Sequence, residues 1–223
     1  MKYFHYRKIS LGDKRMTDVY RLRYKVYCLE CGYEDPCDYQ NHIEMDEYDA
    51  HSVHIAASEM TTDRIIGTAR IILSTDQNFP MLRYFDIDQS HLETFAIERV
   101  GEISRLAISK DYRRRAADKV IYQGNKVIDL DNERDRRNWR LRYENDLVAG
   151  LYHSLYAESI NLGLTHLYAI MSGGLFTLLQ RWGLIWHPLG DARDHHGLRR
   201  PFVASIEENL FWFESEEMKL LRL

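Results

Sequence analysis

Four charged residues stand where the surrounding sequence is apolar: Arg23, Arg70, Glu102 and Arg105. Arg23 falls on the helical stripe of Met16, Val19, Tyr20, Val26 and Tyr27, and Arg70 falls among Ile66, Ile71, Ile72 and Leu73. Glu102 and Arg105 interrupt the strand-like run 100–109. A carboxylate held in an apolar strand loses hydration, so its pKa rises and it becomes suited to taking a proton near neutrality. A guanidinium facing a core needs a carboxylate partner, because an unpaired buried charge is costly. Partners stand in the acidic run Glu44-Met45-Asp46-Glu47-Tyr48-Asp49. Bidentate pairs from Arg23 or Arg105 to Asp46, Asp49 or Glu102 would order that run, and Arg70 can do the same or hold a substrate carboxylate. Together these charges point to a polar site in a cleft.

The elements that must position these residues follow from periodicity. The pattern predicts a helix over 13–29, an irregular segment over 31–50, strands over 52–60 and 64–73, and a short helix near 89–95. A central strand is predicted over 100–109, where alternation groups Glu102 with Val100, Leu106 and Ile108, and Arg105 with Ile103 and Ala107. The charged stretch 110–146 reads as a solvated helical insertion. A helix over 146–162 follows, with Leu147, Leu151, Leu155 and Ile160 inward and Gly163 as its C-cap. Strand 165–171, helix 174–182, strands 184–187 and 201–206, and a helix over 207–221 complete the order. This order predicts an α/β fold with a mixed sheet and helices on both faces, in one domain over 1–223.

Composition bounds the function. With 223 residues, 45% of them hydrophobic, the chain can bury a core and is not disordered. A net charge of −4 argues against a general nucleic-acid binder. Residues 110–146 nevertheless carry 11 Lys/Arg against 8 Asp/Glu, a local surplus of positive charge. No run reaches the roughly 18–20 apolar residues of a membrane span, and residues 1–8 lack the apolar core of a signal peptide. A cytoplasmic protein without membrane insertion is expected. Cys28, Cys31 and Cys37 fit a reducing compartment, and they lack a fourth ligand at zinc spacing, so no metal is expected. His187, Asp194, His195 and His196 read as a loop near a substrate or supporting the last strand.

A set of motifs resembles the acyl-homoserine-lactone (autoinducer) synthases. It comprises Arg-x-x-Val-Tyr at 23–27, Tyr33, Glu-x-Asp-x-x-Asp at 44–49, Gly-Thr-Ala-Arg at 67–70, Met81-Leu82, Phe85 and Glu-x-Ser-Arg-Leu-Ala at 102–107. The run Asp194-His195-His196-Gly197-Leu198-Arg199-Arg200-Pro201-Phe202 and the charged stretch 110–146 look like the long-chain N-acyl amino acid synthases and the acyltransferases associated with the exosortase (PEP-CTERM) system. Tyr27 and Tyr33 stand where lactone synthases usually carry Phe and Trp.

The resemblance implies the three-layer α/β/α sandwich of the GCN5-related (GNAT) acyltransferases. It implies transfer of a fatty acyl chain from a thioester to the α-amine of an amino acid. Glu102 would be the base, acting directly or through a water, with Arg23, Arg70, Arg105, Asp46 and Asp49 organising the site. Tyr27, Tyr33, Glu44 and Phe85 would contact substrate, and Arg199 or Arg200 would hold its carboxylate. Backbone N–H groups near Leu106, Ala107 and Ile108, freed by a bulge, would polarise the thioester carbonyl. Ile170, Met171, Leu175, Phe176 and Leu179 are candidates for the acyl tunnel. Arg113, Arg114 and Arg115 replace the glycine-rich turn that binds a pyrophosphate, which favours an acyl carrier protein over coenzyme A as donor, with no tightly bound cofactor. Lactone synthesis from S-adenosylmethionine, coenzyme A-dependent acetyl transfer and a non-catalytic acyl-binding regulator are the alternatives.

Overall fold

Aliphatic runs buried on both faces become the central strands, and the helices cover them. The computed structural model describes residues 4–75, 78–87, 94, 96–110, 120–123, 126–129 and 133–214. Strand β1 (Phe4–Ile9) leads to helix α1 (Met16–Tyr24), which continues as a π-helical segment, Lys25–Glu30. After short turns come β2 (Ser52–Glu59), β3 (Ile65–Leu73), α2 (Pro80–Tyr84) and β4 (Val100–Ile108). A separate hairpin, β5 (Val120–Gln123) and β6 (Lys126–Asp129), precedes the long helix α3 (Glu133–Asn161). Then follow β7 (His166–Ser172), α4 (Gly173–Arg181), β8 (His187–Pro188), β9 (Arg193–Asp194), β10 (Leu198–Ser205) and α5 (Leu210–Glu214).

The main sheet has the order β1-β2-β3-β4-β7-β10-β8, with β9 pairing β10. All its pairings are antiparallel except β4 with β7, so the sheet is mixed, as expected. Two helical layers cover it. Val53, Ile55, Ala57, Ala69, Ile71, Ile103 and Ile108 face α3 through Leu147, Leu151, Tyr152, Leu155 and Tyr156. Each fully buried leucine there stabilises the fold by roughly 1.5–3 kcal/mol. On the other face, Ala56, Ile65 and Ala107 lie under Met16, Val19, Tyr20 and Leu22 of α1. A third cluster joins Tyr48, Phe79 and Met81 to Ile72, Val100, Tyr168, Leu189 and Val203. The result is the expected three-layer α/β/α sandwich.

Several local expectations change. β1 was not anticipated: it is an edge strand in which only Phe4 and Ile9 are buried, so it carries little hydrophobic alternation. The charged stretch is not uniformly helical, since it contains the β5–β6 hairpin and the start of α3 at Glu133. The strand expected at 184–187 shrinks to His187–Pro188. Gly163 ends α3 at φ +68 as expected, with Leu164 N–H donating to Ser159 C=O at 3.0 Å, whereas Ile160 is 38% exposed rather than inward. The helix expected at 89–95 falls almost wholly outside the described residues.

Gly101 at the start of β4 has no room for a side chain. A Cβ there would stand 2.7 Å from Ile71 Cγ2 and 2.9 Å from Leu164 Cδ1. Gly101→Ala is expected to cost about 1–3 kcal/mol by overpacking. Urea unfolding of the variant checks this, and an unchanged midpoint would mean that the two aliphatic side chains yield freely.

Candidate active site

The acidic run folds as a loop over the α1 face of the sheet, and its carboxylates meet the three arginines. Arg23 on α1 donates from Nη1 and Nη2 to the two oxygens of Asp49, at 2.6 and 3.1 Å, and from Nε to Glu44. Arg70 on β3 clamps Asp46 at 2.6 and 2.7 Å, reaches Asp49 at 2.6 Å and donates from Nε to Ser104 Oγ at 2.8 Å. Arg105 on β4 reaches Glu44 at 3.0 Å and Asp46 at 3.1 Å. Three guanidiniums thus meet these three carboxylates, with Glu34 a further 3.6 Å partner of Arg105, in a nearly dry space: Arg23, Glu44, Asp49 and Arg70 are each at most 2% exposed. Burial alone would raise the Asp49 pKa, but Arg23 and Arg70 overcome it and hold the carboxyl down at about 2. Burial also opposes the charge on Arg23, yet Glu44 and Asp49 raise its pKa above the ordinary value.

This pairing corrects two expectations. Neither Arg23 nor Arg105 bonds to Glu102 among the described residues, and Glu44, expected to contact substrate, is wholly enclosed between Arg23 and Arg105. The donors of Arg70 are taken up by Asp46, Asp49 and Ser104, so it ties the loop to the sheet rather than waiting for a substrate carboxylate.

β4 bulges at Arg105. Thr68 of β3 pairs Ala107 and Arg70 pairs Ser104, so Ala69 faces two residues, Arg105 and Leu106. Arg105 adopts φ +51, a left-handed conformation that a non-glycine residue holds at a cost of about 1–3 kcal/mol. Its ion pairs with Glu44 and Asp46 and the underlying Tyr27 ring, 5.4 Å from its guanidinium carbon, hold it there. Tyr27, projected from the π-helical segment, also donates its hydroxyl to Leu106 C=O at 3.1 Å. The bulge flips the alternation. Arg105 and Ala107 join the face of Val100 and Glu102, while Leu106 and Ile108 pack with Ile103 toward α3. Simple alternation had placed Glu102 with Leu106 and Ile108, and the extra residue is the reason it fails.

Beyond the bulge the sheet splits. β4 and β7 pair from Val100/His166 to Ile103/Ala169 and no further, although both strands continue. Ser109 N–H donates to Ile66 C=O at 3.2 Å and Ala107 is the partner of Thr68, so alternation turns the Ile108 N–H into the gap, with the bulged Leu106 beside it. Ala107 itself faces α1.

A cavity of about 550 Å³ opens there. Toward α3 its lining is apolar, formed by Leu106, Ile108, Tyr152, Met171 and Leu175, while Ile170 lines it from the opposite face of β7. Toward the acidic loop it is polar, lined by Glu34, Asp46, Arg70, Glu102, Arg105 and Arg199. Of the proposed tunnel residues, Ile170, Met171 and Leu175 line it, whereas Phe176 stacks on Phe202 and Leu179 is buried in the core, neither lining the cavity. Tyr27 and Tyr33 line it; Phe85, Arg23, Asp49 and Glu44 do not. Arg113, Arg114 and Arg115 lie outside the described residues.

Glu102 is 1% exposed and its Oε2 accepts the Met81 N–H at 2.9 Å. Burial pushes its pKa up to about 8, against the pull of the Met81 N–H, Arg70 and Arg105. Arg199, 5.5 Å above the Tyr33 ring, donates to Tyr33 Oη at 3.3 Å and to the carbonyls of His195 and His196. Among the described residues it is the one cavity arginine without a carboxylate partner. Sequence reasoning missed Tyr84, which lines the cavity mouth and faces His195 with ring centroids 4.5 Å apart. It also missed Ser104, whose spacing of two from Glu102 was the available signal.

Comparison with known proteins agrees with this architecture. No curated protein matches the sequence. Among solved structures, the acyl-homoserine-lactone synthase LasI is similar at 16% identity and TM-score 0.63, covering 96% of each chain. BjaI, a CoA-dependent acyl-homoserine-lactone synthase solved with SAM and isopentyl-CoA, is similar at 16% identity and TM-score 0.64, covering all of this chain and 88% of its own. FeeM, an N-acyl amino acid synthase from uncultured soil microbes, is similar at 12% identity and TM-score 0.58, covering 99% of each chain. Likeness at such identities is one of fold, and function must be argued from the site. The sequence over residues 22–123 matches the acetyltransferase (GNAT) domain, and the chain as a whole has a GNAT-like fold.

Proposed function

We propose that the protein is an N-acyltransferase that moves a long fatty acyl chain from an acyl-carrier-protein thioester to the α-amine of an amino acid. One observation carries this reading. Glu102, the Leu106 and Ile108 backbone and Arg199, which has no carboxylate partner among the described residues, meet at one cavity that is apolar toward α3 and polar toward the acidic loop. The acyl chain fits the apolar end, with the thioester in the gap between β4 and β7. The acceptor's carboxylate fits Arg199, which presents its amine toward Glu102. Ionised Glu102 takes a proton from the acceptor's ammonium, directly or through a water. The freed nitrogen attacks the thioester carbon, and its oxygen takes up negative charge facing the Ile108 N–H beside the bulged Leu106. Such a preorganised donor is worth roughly 3–4 kcal/mol of barrier. The intermediate collapses with cleavage of the C–S bond, and the departing thiolate recovers a proton as the amide forms. The basic run Arg113-Arg114-Arg115 in the sequence supports a carrier protein as donor, because positive charge steers an acidic partner.

The deciding experiment offers purified protein palmitoyl-carrier protein and palmitoyl-coenzyme A in separate reactions. Each reaction contains pooled amino acids and S-adenosylmethionine, and products are read by mass spectrometry. An N-acyl amino acid formed faster from the carrier protein is expected. Lactone products overturn the acceptor, preference for coenzyme A overturns the donor, and bound acyl chain without product overturns catalysis. Arg199→Gln is expected to raise KM for the amino acid about 10–100-fold, the worth of one charge-assisted hydrogen bond, with kcat within a fewfold of the parent. An unchanged KM would remove Arg199 from carboxylate binding.

A further inference from the structure

Tyr168 lies on β7 as the direct register partner of Glu102 on β4. It is fully buried among Ile72, Phe79, Met81, Val100, Leu189 and Val203, and its ring meets Phe79 edge-on at 5.7 Å. Its hydroxyl has no hydrogen-bond partner among the described residues. A hydroxyl enclosed by apolar side chains without a partner is costly, so its retention there needs a reason. The carboxyl of Glu102 supplies one: its Oε2 accepts the Met81 N–H, its Oε1 has no hydrogen bond among the described residues, and the residue lines the cavity. The groups around this carboxyl are Arg70 from β3, Arg105 from β4, Tyr48 from the acidic loop and Tyr168 from β7. Burial first, and then the charge of Glu102, push the Tyr168 pKa up to about 12, so the phenol stays a proton donor throughout the working range.

We infer that Tyr168 is a positioning residue for Glu102: its hydroxyl donates across one water to the ionised carboxylate and holds the base in its reactive form. This rests on the reading of Glu102 as the base. A hydrogen bond to the charged form favours it, so the tyrosine offsets part of the burial that works against ionisation. No proton leaves Tyr168 in the reaction; it stays on the phenol oxygen while Glu102 gains and returns one.

Tyr168→Phe removes the donor and keeps the packing. The ionisation that governs the acid limb of kcat/KM is expected to move up by about half to one pH unit. Rates then fall three- to tenfold at pH 7 and recover by pH 9.5. An equal loss at every pH would mean packing alone and would overturn the inference. A direct readout needs no turnover: in protein labelled at the glutamate carboxyl carbon, the resonance titrating near pH 8 should move upward in Tyr168→Phe. Should that variant not fold, parent protein labelled at the tyrosine ring carbon bearing oxygen serves instead. One tyrosine signal should follow the Glu102 titration and cease to do so in Glu102→Gln, and no such signal would overturn the inference. Coupled titration in a protein whose Glu102→Gln variant still turns over would sink the assignment of the base while leaving the contact intact.

Discussion

Glu102→Gln is expected to lower acyl transfer at least a hundredfold and yet to melt higher than the parent at pH 9. The loss follows from removing the proton acceptor. The gain follows from linkage. The carboxyl titrates near 8 in the folded chain against an ordinary value of 4.5, so between those values the folded state binds the proton more tightly than the unfolded state. Stability from this group is complete below about pH 4.5, declines as pH rises through 8, and stays low above that. Glutamine resembles the protonated carboxyl, can still accept the Met81 N–H, and does not ionise. The variant should therefore match the parent at pH 4.5 and exceed it at pH 9 by about 1–3 kcal/mol, or roughly 3–8 °C in Tm. Calorimetric melts at the two pH values check the stability, and steady-state turnover checks the chemistry. Turnover within threefold of the parent would dismiss Glu102 as base. Equal melting at pH 9 would show that the folded chain does not resist ionising it. The same titration implies that parental activity climbs with pH through about 8.

The second large effect is structural. Asp49→Asn should destabilise the fold by about 3–5 kcal/mol, because it leaves Arg23 and Arg70 without the carboxylate they share. Its sign with pH is opposite to that of Glu102. The Asp49 carboxyl is held near 2, so its contribution is full above the ordinary carboxylate range and is lost as pH falls toward 2. The variant should thus lie far below the parent at pH 7 and approach it in acid. Denaturant midpoints at pH 7 and pH 3 test this. A loss under 1 kcal/mol at pH 7 would mean that water or a neighbour replaces the carboxylate.

The order of elements was largely legible because burial imposes local periodicity. β3, β7 and α4 lie within a residue or two of their expected bounds. β1 escaped because an edge strand exposes most of its side chains and carries no pattern. The candidate site was legible as a set of misplaced charges: Arg23, Arg70, Glu102 and Arg105 are indeed inside or beside one cavity. Their roles were less so. Arg23, Glu44 and Asp49 proved to be the buried support of the loop, while Asp46, Arg70 and Arg105 both support it and reach the cavity wall.

By itself, the sequence determined that charges would be buried, that an acidic run would be available to neutralise them, and that a mixed α/β sheet would carry them. These follow from residue type and short-range period. Only the tertiary structure decided which arginine meets which carboxylate, because those partners lie 21 to 61 residues apart and several pairings satisfy the same charge balance. It also decided the bulge at Arg105, which reverses the alternation that composition suggests, and it left Glu102 without an arginine partner among the described residues. That last outcome arises from folding geometry: the loop carboxylates saturate the guanidiniums first, and burial then makes the remaining carboxylate basic.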